Sequence, residues 1–240
     1  MNSEIQKESK MNVFEKIIGI FASPKETFTE INKKPTWLVP FIIIILVTLI
    51  SQYLVMDITF QDQIEVMKAR GMSQEQIGQA QERMEGPMKY IGFIAAPVGI
   101  LIIWLILAGI LLFTGNTIMG GKAKFKNVLA VVSWSGIIGI VQSALYTYLV
   151  ISNGSRFGVT TSLAILLPAP QVGESQTLLY RILSRFDIFT IWSLILWIIG
   201  LSVVYNFSTK KSTTMVLSLW VIYIIFVVAV GSLLGGMFGM

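Results

Sequence analysis

Asp187 stands immediately before about 19 residues without a formal charge, through Trp197 and Gly200, a length that just crosses a bilayer's hydrocarbon at about 1.5 Å per residue. Two chemistries suit a carboxylate there. It can cap a membrane-spanning helix by accepting from the free N–H groups of Phe189 or Thr190 at the positive end of the helix dipole. Alternatively it can titrate on an ion path. No second ionisable residue follows inside the run, so capping is the expected role, with Trp192 one turn inside at headgroup level. Gly120-Gly121-Lys122 suggests a phosphate loop but lacks the spaced upstream glycine and the following Ser or Thr of a Walker motif, and it joins two apolar runs. A tight turn is expected, with Lys122, Lys124 and Lys126 touching anionic lipid. Gly231, Gly235 and Gly239 repeat every four residues, a spacing that lets two helix backbones approach within the bundle, with a second copy or with a partner.

The chain has no Cys, and its His count is 0, which excludes disulfides, thiolate nucleophiles, the usual zinc sites and His general bases. Catalytic, cofactor-binding and metal residues are therefore all expected to be none. Intramembrane proteolysis fails for want of His and of paired intramembrane acids.

These residues need positioning by elements whose nature the composition declares. At 54% hydrophobic and 13% charged, the chain is too apolar for a soluble domain, and its apolar residues come in blocks. Spans are expected at about 37–56, 91–114, 128–151, 188–206 and 214–237, leaving too little chain for an ordinary soluble catalytic domain. Pro40 falls in a first turn, whereas Pro97 lies deeper and is expected to kink its span. The span interiors contain no Asp, Glu, Lys or Arg, which argues against a pump or a proton-coupled carrier. The polar residues inside them, such as Ser51, Gln52, Ser133, Ser135, Gln142 and Ser143, suit interhelical hydrogen bonds.

Outside the spans, Val13, Phe14, Ile17, Ile18 and Phe21 form one face of a helix too short and polar to cross, expected to lie in the interface. Ser23-Pro24-Lys25-Glu26 restarts a helix, with Ser23 at N-cap, Pro24 at N1 and Glu26 reaching back from N3. Phe28 and Ile31 give this helix its apolar face before Pro35 stops it. The first long apolar run begins only at Trp37 and no small-residue cleavage site follows, so the first span is expected to be an uncleaved anchor. Residues 61–85 read as two short helices broken at Gly71, with a capping box at Ser73 and Gln76, lying as a hairpin over the outer mouth of the bundle. Thr160 to Leu167 is apolar but too short to cross. Leu178, Leu179, Ile182, Leu183 and Phe186 form an amphipathic lead-in to Asp187. Lys7, Lys10, Lys16, Lys25, Lys33 and Lys34 precede the first span, and Lys122, Lys124, Lys126, Lys210 and Lys211 fall on the same side by alternation. That density puts the N-terminus in the cytoplasm and the C-terminus outside. The net charge of +5 suits an anionic membrane surface rather than nucleic acid.

Three stretches carry a resemblance: Phe21 to Phe28 with Pro35 and Trp37 before the first span, Gly120 to Lys126 entering the third, and Asp187-Ile188-Phe189-Thr190-Ile191-Trp192 with Gly200-Leu201 in the fourth. Their order and spacing, over roughly Phe14 to Leu234, resemble the prokaryotic branch of the Yip family, named for Ypt/Rab-interacting proteins. The resemblance implies a five-span domain, and in the eukaryotic branch a membrane adaptor for small GTPases and vesicle traffic. The Asp-Leu-Tyr-Gly-Pro motif of that branch is missing here, so a small GTPase is a doubtful partner. Prolines often found in the third span are replaced by a region with Gly136 and Gly139. Some bacterial members look like accessory subunits of membrane exporters.

The expected protein is an all-α integral membrane protein of the cytoplasmic membrane. Residues 1–36 form a cytoplasmic segment of interfacial amphipathic helices, and 37–240 a bundle of five transmembrane helices with an outer helical hairpin between spans one and two. Its expected role is a non-enzymatic scaffold or accessory subunit for another membrane machine. Its partners would be the lipid bilayer and another integral membrane protein or itself. A channel or transporter for a small neutral solute or lipid is the rival class.

Overall fold

Apolar runs in a bilayer must satisfy every backbone N–H and C=O internally, and here they do so as helices. The computed structural model describes residues 11–86 and 90–237. Among the described residues the regular structure is helical, and Ser162 and Asp187 form an isolated antiparallel bridge. Four helical stretches are long and apolar enough to cross a membrane: Ile91–Ile118, Phe125–Asn153, Ile188–Tyr205 and Thr209–Gly231. A fifth span arises if Leu38–Leu54 and Met56–Ala69, bent by 58° at a short break, count as one. The chain is an all-α integral membrane protein.

The elements divide between two compact units. The first holds the chain through Ile45, Gly99–Ile140 and Ile191–Trp220. In it, α1 (Val13–Ala22) and α2 (Pro24–Lys33) pack on each other and on α7 (Phe125–Ser135). The cap that starts α1 is Asn12, whose side chain accepts from Glu15 N while Glu15 reaches back to Asn12 N, each at 2.8–2.9 Å. The box expected at Ser23 does not form. Ser23 is a single-residue joint, at once C-cap of α1 and N-cap of α2, with φ −145° and ψ 62°. In that conformation its hydroxyl makes no capping bond, and its carbonyl instead takes the N–H and the hydroxyl of Thr27 at 3.1 and 2.9 Å. Pro24 does occupy the first turn of α2.

Ile20, Phe28 and Ile31 are buried in this unit together with Trp134, whose indole N–H donates to Thr36 O at 2.7 Å. Asn127 at the head of α7 donates to the Asn32 side chain and carbonyl, at 2.6 and 3.1 Å. The opening of α3 (Leu38–Leu54) joins through an aromatic chain, Trp37 on Phe41 and Phe41 edge-on to Trp104 of α6 (Ile91–Phe113). Pro97 lies inside α6. The third span is interrupted between α7 and α8 (Ile138–Asn153), where three-residue hydrogen bonds link Trp134 to Ile137 and Gly136 to Gly139. Asn206, at φ 52°, ends α10 (Ile188–Tyr205) in the left-handed conformation that asparagine tolerates. The last helix, α11 (Thr209–Met237), begins five residues before the expected span because the Ser208 hydroxyl caps it through Lys211 N at 3.3 Å.

Lys16 departs from the amphipathic reading of α1. It is buried, while Val13, Phe14 and Ile18 of the predicted apolar face remain exposed, so the Lys16–Gly19–Ile20 side does most of the packing and Phe21 alone of that face meets another ring. Desolvation lowers the Lys16 pKa; nearby Glu30 opposes the shift and Lys34 adds to it. A lysine whose folded-state pKa lies below its unfolded value of 10.5 is penalised while charged, and the penalty lifts as pH rises from the folded value toward 10.5. Lys16→Met should therefore raise stability at neutral pH by about 1 kcal/mol. It should also flatten the gain in stability that the parent shows at alkaline pH. Denaturation in detergent across pH 7 to 10 checks this, and a Met variant that is less stable at pH 7 defeats it.

The second unit holds Leu46–Val98, Val141–Thr190 and the chain from Val221. Here α3 turns at Val55 directly into α4 (Met56–Ala69), which packs on α5 (Gln74–Glu85). The hairpin thus begins at Met56 rather than near Gln61, because no glycine or proline separates α3 from α4 and two helical segments meet at one residue. Gly71 makes the turn with φ 71°, and the Ser73–Gln76 capping box starts α5. Asp62 is buried and pins the segment after α8 by accepting from Ser155 Oγ at 2.7 Å, Arg156 N at 2.8 Å and Arg156 Nε at 3.2 Å. Ser51 and Ser143 share a 2.6 Å hydrogen bond between α3 and α8.

Candidate functional site

The third motif stretch opens α10, and within the first unit the other two pack against that helix. At its head, Asp187 Oδ1 accepts from Phe189 N at 2.8 Å and Thr190 N at 3.2 Å, the geometry of an N-cap. Oδ2 accepts from the Thr161 hydroxyl, and the backbone of Phe186 takes Leu163 N at 3.1 Å. Thr160 to Leu167 is thereby folded back on the helix head as a short turn, Leu163–Leu166, that packs against α9 (Leu178–Leu183). Asp187 is 8% exposed, so its two oxygens are held by protein rather than by water. Phe189, also of the motif, is buried one residue into the helix.

Further along α10, within the first unit, Trp192 meets the ring of Phe21 edge-on at 5.6 Å. Gly200 lies under the N-terminal hairpin: a Cβ there would stand 2.6 Å from Val131 and 3.2 Å from the ring of Phe28. Any side chain at 200 would have to push α2 or α7 away, which is the physical need for glycine at this place. The Ser23-Pro24 joint is placed by the same packing, since it aims Phe21 and Phe28 at α10.

The foot of α10 seats the glycine pair. Tyr205 donates from its hydroxyl to Leu111 O at 3.0 Å. Its ring fills the space left by Gly115 and Gly121, whose Cβ positions would fall 2.2 and 2.4 Å from ring carbons. The turn of a π-helix, Thr114–Ile118, carries Gly115, and Gly120 takes φ 69° to bring the chain round. Asn116 closes the loop on Ala123 with bonds of 2.9 and 3.1 Å. Phe207 stacks on Tyr205 at 4.9 Å, and Lys211 lies over Phe207 at 4.1 Å while donating to Met119 O at 2.7 Å. Lys122, Lys124 and Lys126 project from this clasp and are exposed.

Of the glycine repeat, Gly231 lies on α11 with the Arg181 guanidinium 3.2 Å from its Cβ position. Gly235 falls on the same helix, and Gly239 lies outside the described residues. Sequence reasoning passed over Tyr205 and Asp62. Tyr205 carried a signal, an aromatic at a span end. It reads equally as an interfacial belt residue, and only the distant Gly115 shows otherwise. Asp62 sits in a helix with Asp57 and Glu65, and nothing local marks it as the buried one.

Among the described residues no cluster of His, Cys, Asp or Glu could hold a metal ion. The motif residues serve as a helix cap in the second unit and as ring seats and small-residue contacts in the first. Comparison with known proteins agrees with the motifs that compose it: the Yip1 domain family model matches residues 18–231. The chain belongs to the Yip1 domain family. A Yip1-domain match of this extent takes in α10 with both its partners, the hairpin joint and the glycine clasp. The chain is 26% identical over 216 residues to the protein named membrane protein YknW of Bacillus subtilis (strain 168), covering 88% of this chain and 87% of that one. No solved structure matches the chain. It is a multi-pass membrane protein of the Yip1 family, and no enzymatic family is indicated.

Proposed function

We propose that this protein is a non-enzymatic scaffold or accessory subunit that assists another membrane machine, in export or membrane traffic. The carrying observation is how several of its intramembrane polar groups are used. Ser51 bonds Ser143, Tyr205 bonds Leu111, and Trp134 bonds Thr36, each joining one element to another. The motif residues Asp187, Gly200 and Gly121 likewise hold elements together. Such use leaves broad apolar helix faces for lipid or a partner, including Ile94, Ile102, Ile103, Ile106 and Ile110 on α6. On this reading residues 1–36 are a cytoplasmic segment, 37–240 a five-span domain of the cytoplasmic membrane, and Lys122, Lys124 and Lys126 touch anionic lipid. Gly231, Gly235 and Gly239 offer a helix-packing stripe.

Crosslinking in native membranes, followed by affinity recovery and mass spectrometry, tests the role. A reproducible membrane-protein partner is expected, and recovery of the protein alone together with solute flux in reconstituted vesicles would replace the scaffold by a channel. Orientation has its own test. Reporter fusions after Lys10 and after Met240 should report opposite compartments, cytoplasmic and outer, by the basic density of the N-terminal side. Two reporters on one side would remove the five-span organisation.

A further inference from the structure

We infer that α1 and α2, rather than lying wholly in the cytoplasm, form a re-entrant hairpin whose turn enters the membrane domain, and that the polar side of α2 borders a water-filled notch open on the N-terminal side. Two contacts fix the direction of α2. Asn32 bonds Asn127 near the start of α7, and Phe28 packs with Val131 and Gly200 a turn further in. Following α2 back from Asn32 to Pro24 therefore leads away from the mouth of α7. Beyond the Ser23 joint, Phe21 meets Trp192, which stands about 20 Å from the Tyr205 end of an 18-residue helix at about 1.5 Å per residue. Gly200 stands only about 8 Å from that end. The hairpin thus runs along α10 from Gly200 to Trp192, through hydrocarbon depth to within about one turn of that helix's far end.

Its two outer sides differ in chemistry. On α1, Val13, Phe14 and Ile18 are exposed and apolar, fit for lipid. On α2 the exposed residues are Lys25, Glu26, Thr29 and Lys33, fit only for water, since charge in contact with hydrocarbon is costly. Non-spanning backbone at membrane depth is tolerated where it is buried in protein or lines a water-filled cavity. Both conditions hold here, with Phe28 and Ile31 buried on one side and the polar row on the other.

The chain has no native cysteine, so single substitutions report cleanly. The protein is reconstituted in vesicles of phosphatidylethanolamine and phosphatidylglycerol and treated with a membrane-impermeant maleimide. Lys25→Cys and Thr29→Cys should label from the same face as Lys122→Cys, at least tenfold faster than Ile103→Cys, whose side chain is exposed on α6. In a second experiment, the pair Phe21→Cys and Trp192→Cys should join under a short bifunctional thiol reagent in the folded protein. Labelling of positions 25 and 29 as slow as at 103 would overturn the water-filled notch. Failure of the 21–192 pair to join, with labelling still fast, would show a hairpin lying on the surface and would overturn the re-entrant placement.

Discussion

Asp187→Ala should destabilise the folded protein by about 3 kcal/mol, combining a lost N-cap with a lost charge-assisted hydrogen bond. The substitution strips acceptors from Phe189 N, Thr190 N and the Thr161 hydroxyl at once. Little water can replace them at a site 8% exposed. Asp187→Asn should cost about 1 kcal/mol, since its carbonyl still accepts from the helix head and only the Thr161 side loses its anionic partner. Thr161→Val in both backgrounds completes a double-mutant cycle, and coupling of about 1 kcal/mol or more is expected between neighbours in one network. Denaturation in mild detergent gives the stabilities. Asp187 forms no ion pair with Arg185 among the described residues, so an Arg185→Gln background should leave the Asn result unchanged. If Asn instead folds normally but abolishes partner recovery in both backgrounds, charge is the requirement and the capping role falls.

Gly115→Val should be comparably severe, at about 3 kcal/mol from overpacking and a broken hydrogen bond. Its Cβ would stand 2.2 Å from Cζ and 2.4 Å from the hydroxyl of Tyr205, so the ring must leave its seat. The hydroxyl bond to Leu111 and the stack on Phe207 go with it. Tyr205→Phe removes only the hydroxyl bond and should cost about 1 kcal/mol. Adding Gly115→Val to a Tyr205→Ala background should cost far less than in the parent, because the colliding ring is already gone. Thermal unfolding and folded yield in detergent read the series. A Gly115→Val variant as stable as its parent would show that the ring does not sit there.

Much of this protein is decided by local chemistry that any stretch of its chain displays. The membrane class follows from uncharged runs of span length, since hydrocarbon leaves the backbone no partner but itself. Asp187 before Phe189 and Thr190 sets a cap from adjacent residues, as Ser73 and Gln76 do. Gly71 marks a break that only three or four residues need to know about. Tertiary structure decided the rest, wherever a residue's role depends on a partner far along the chain. Ser23 has the right neighbours for a capping box, yet the close docking of α1 on α2 imposes a joint in which its side chain cannot cap. Lys16 sits beside an apolar stripe, but packing on the opposite side buries it and leaves Phe14 exposed. Gly115 and Tyr205 are ordinary alone and become a seat only when the π-helical turn after α6 lies against the foot of α10. Local hydrogen bonds and hydrophobic periodicity are encoded within a turn or two of helix, whereas the choice of contacting face is settled by shape complementarity among helices that are all apolar.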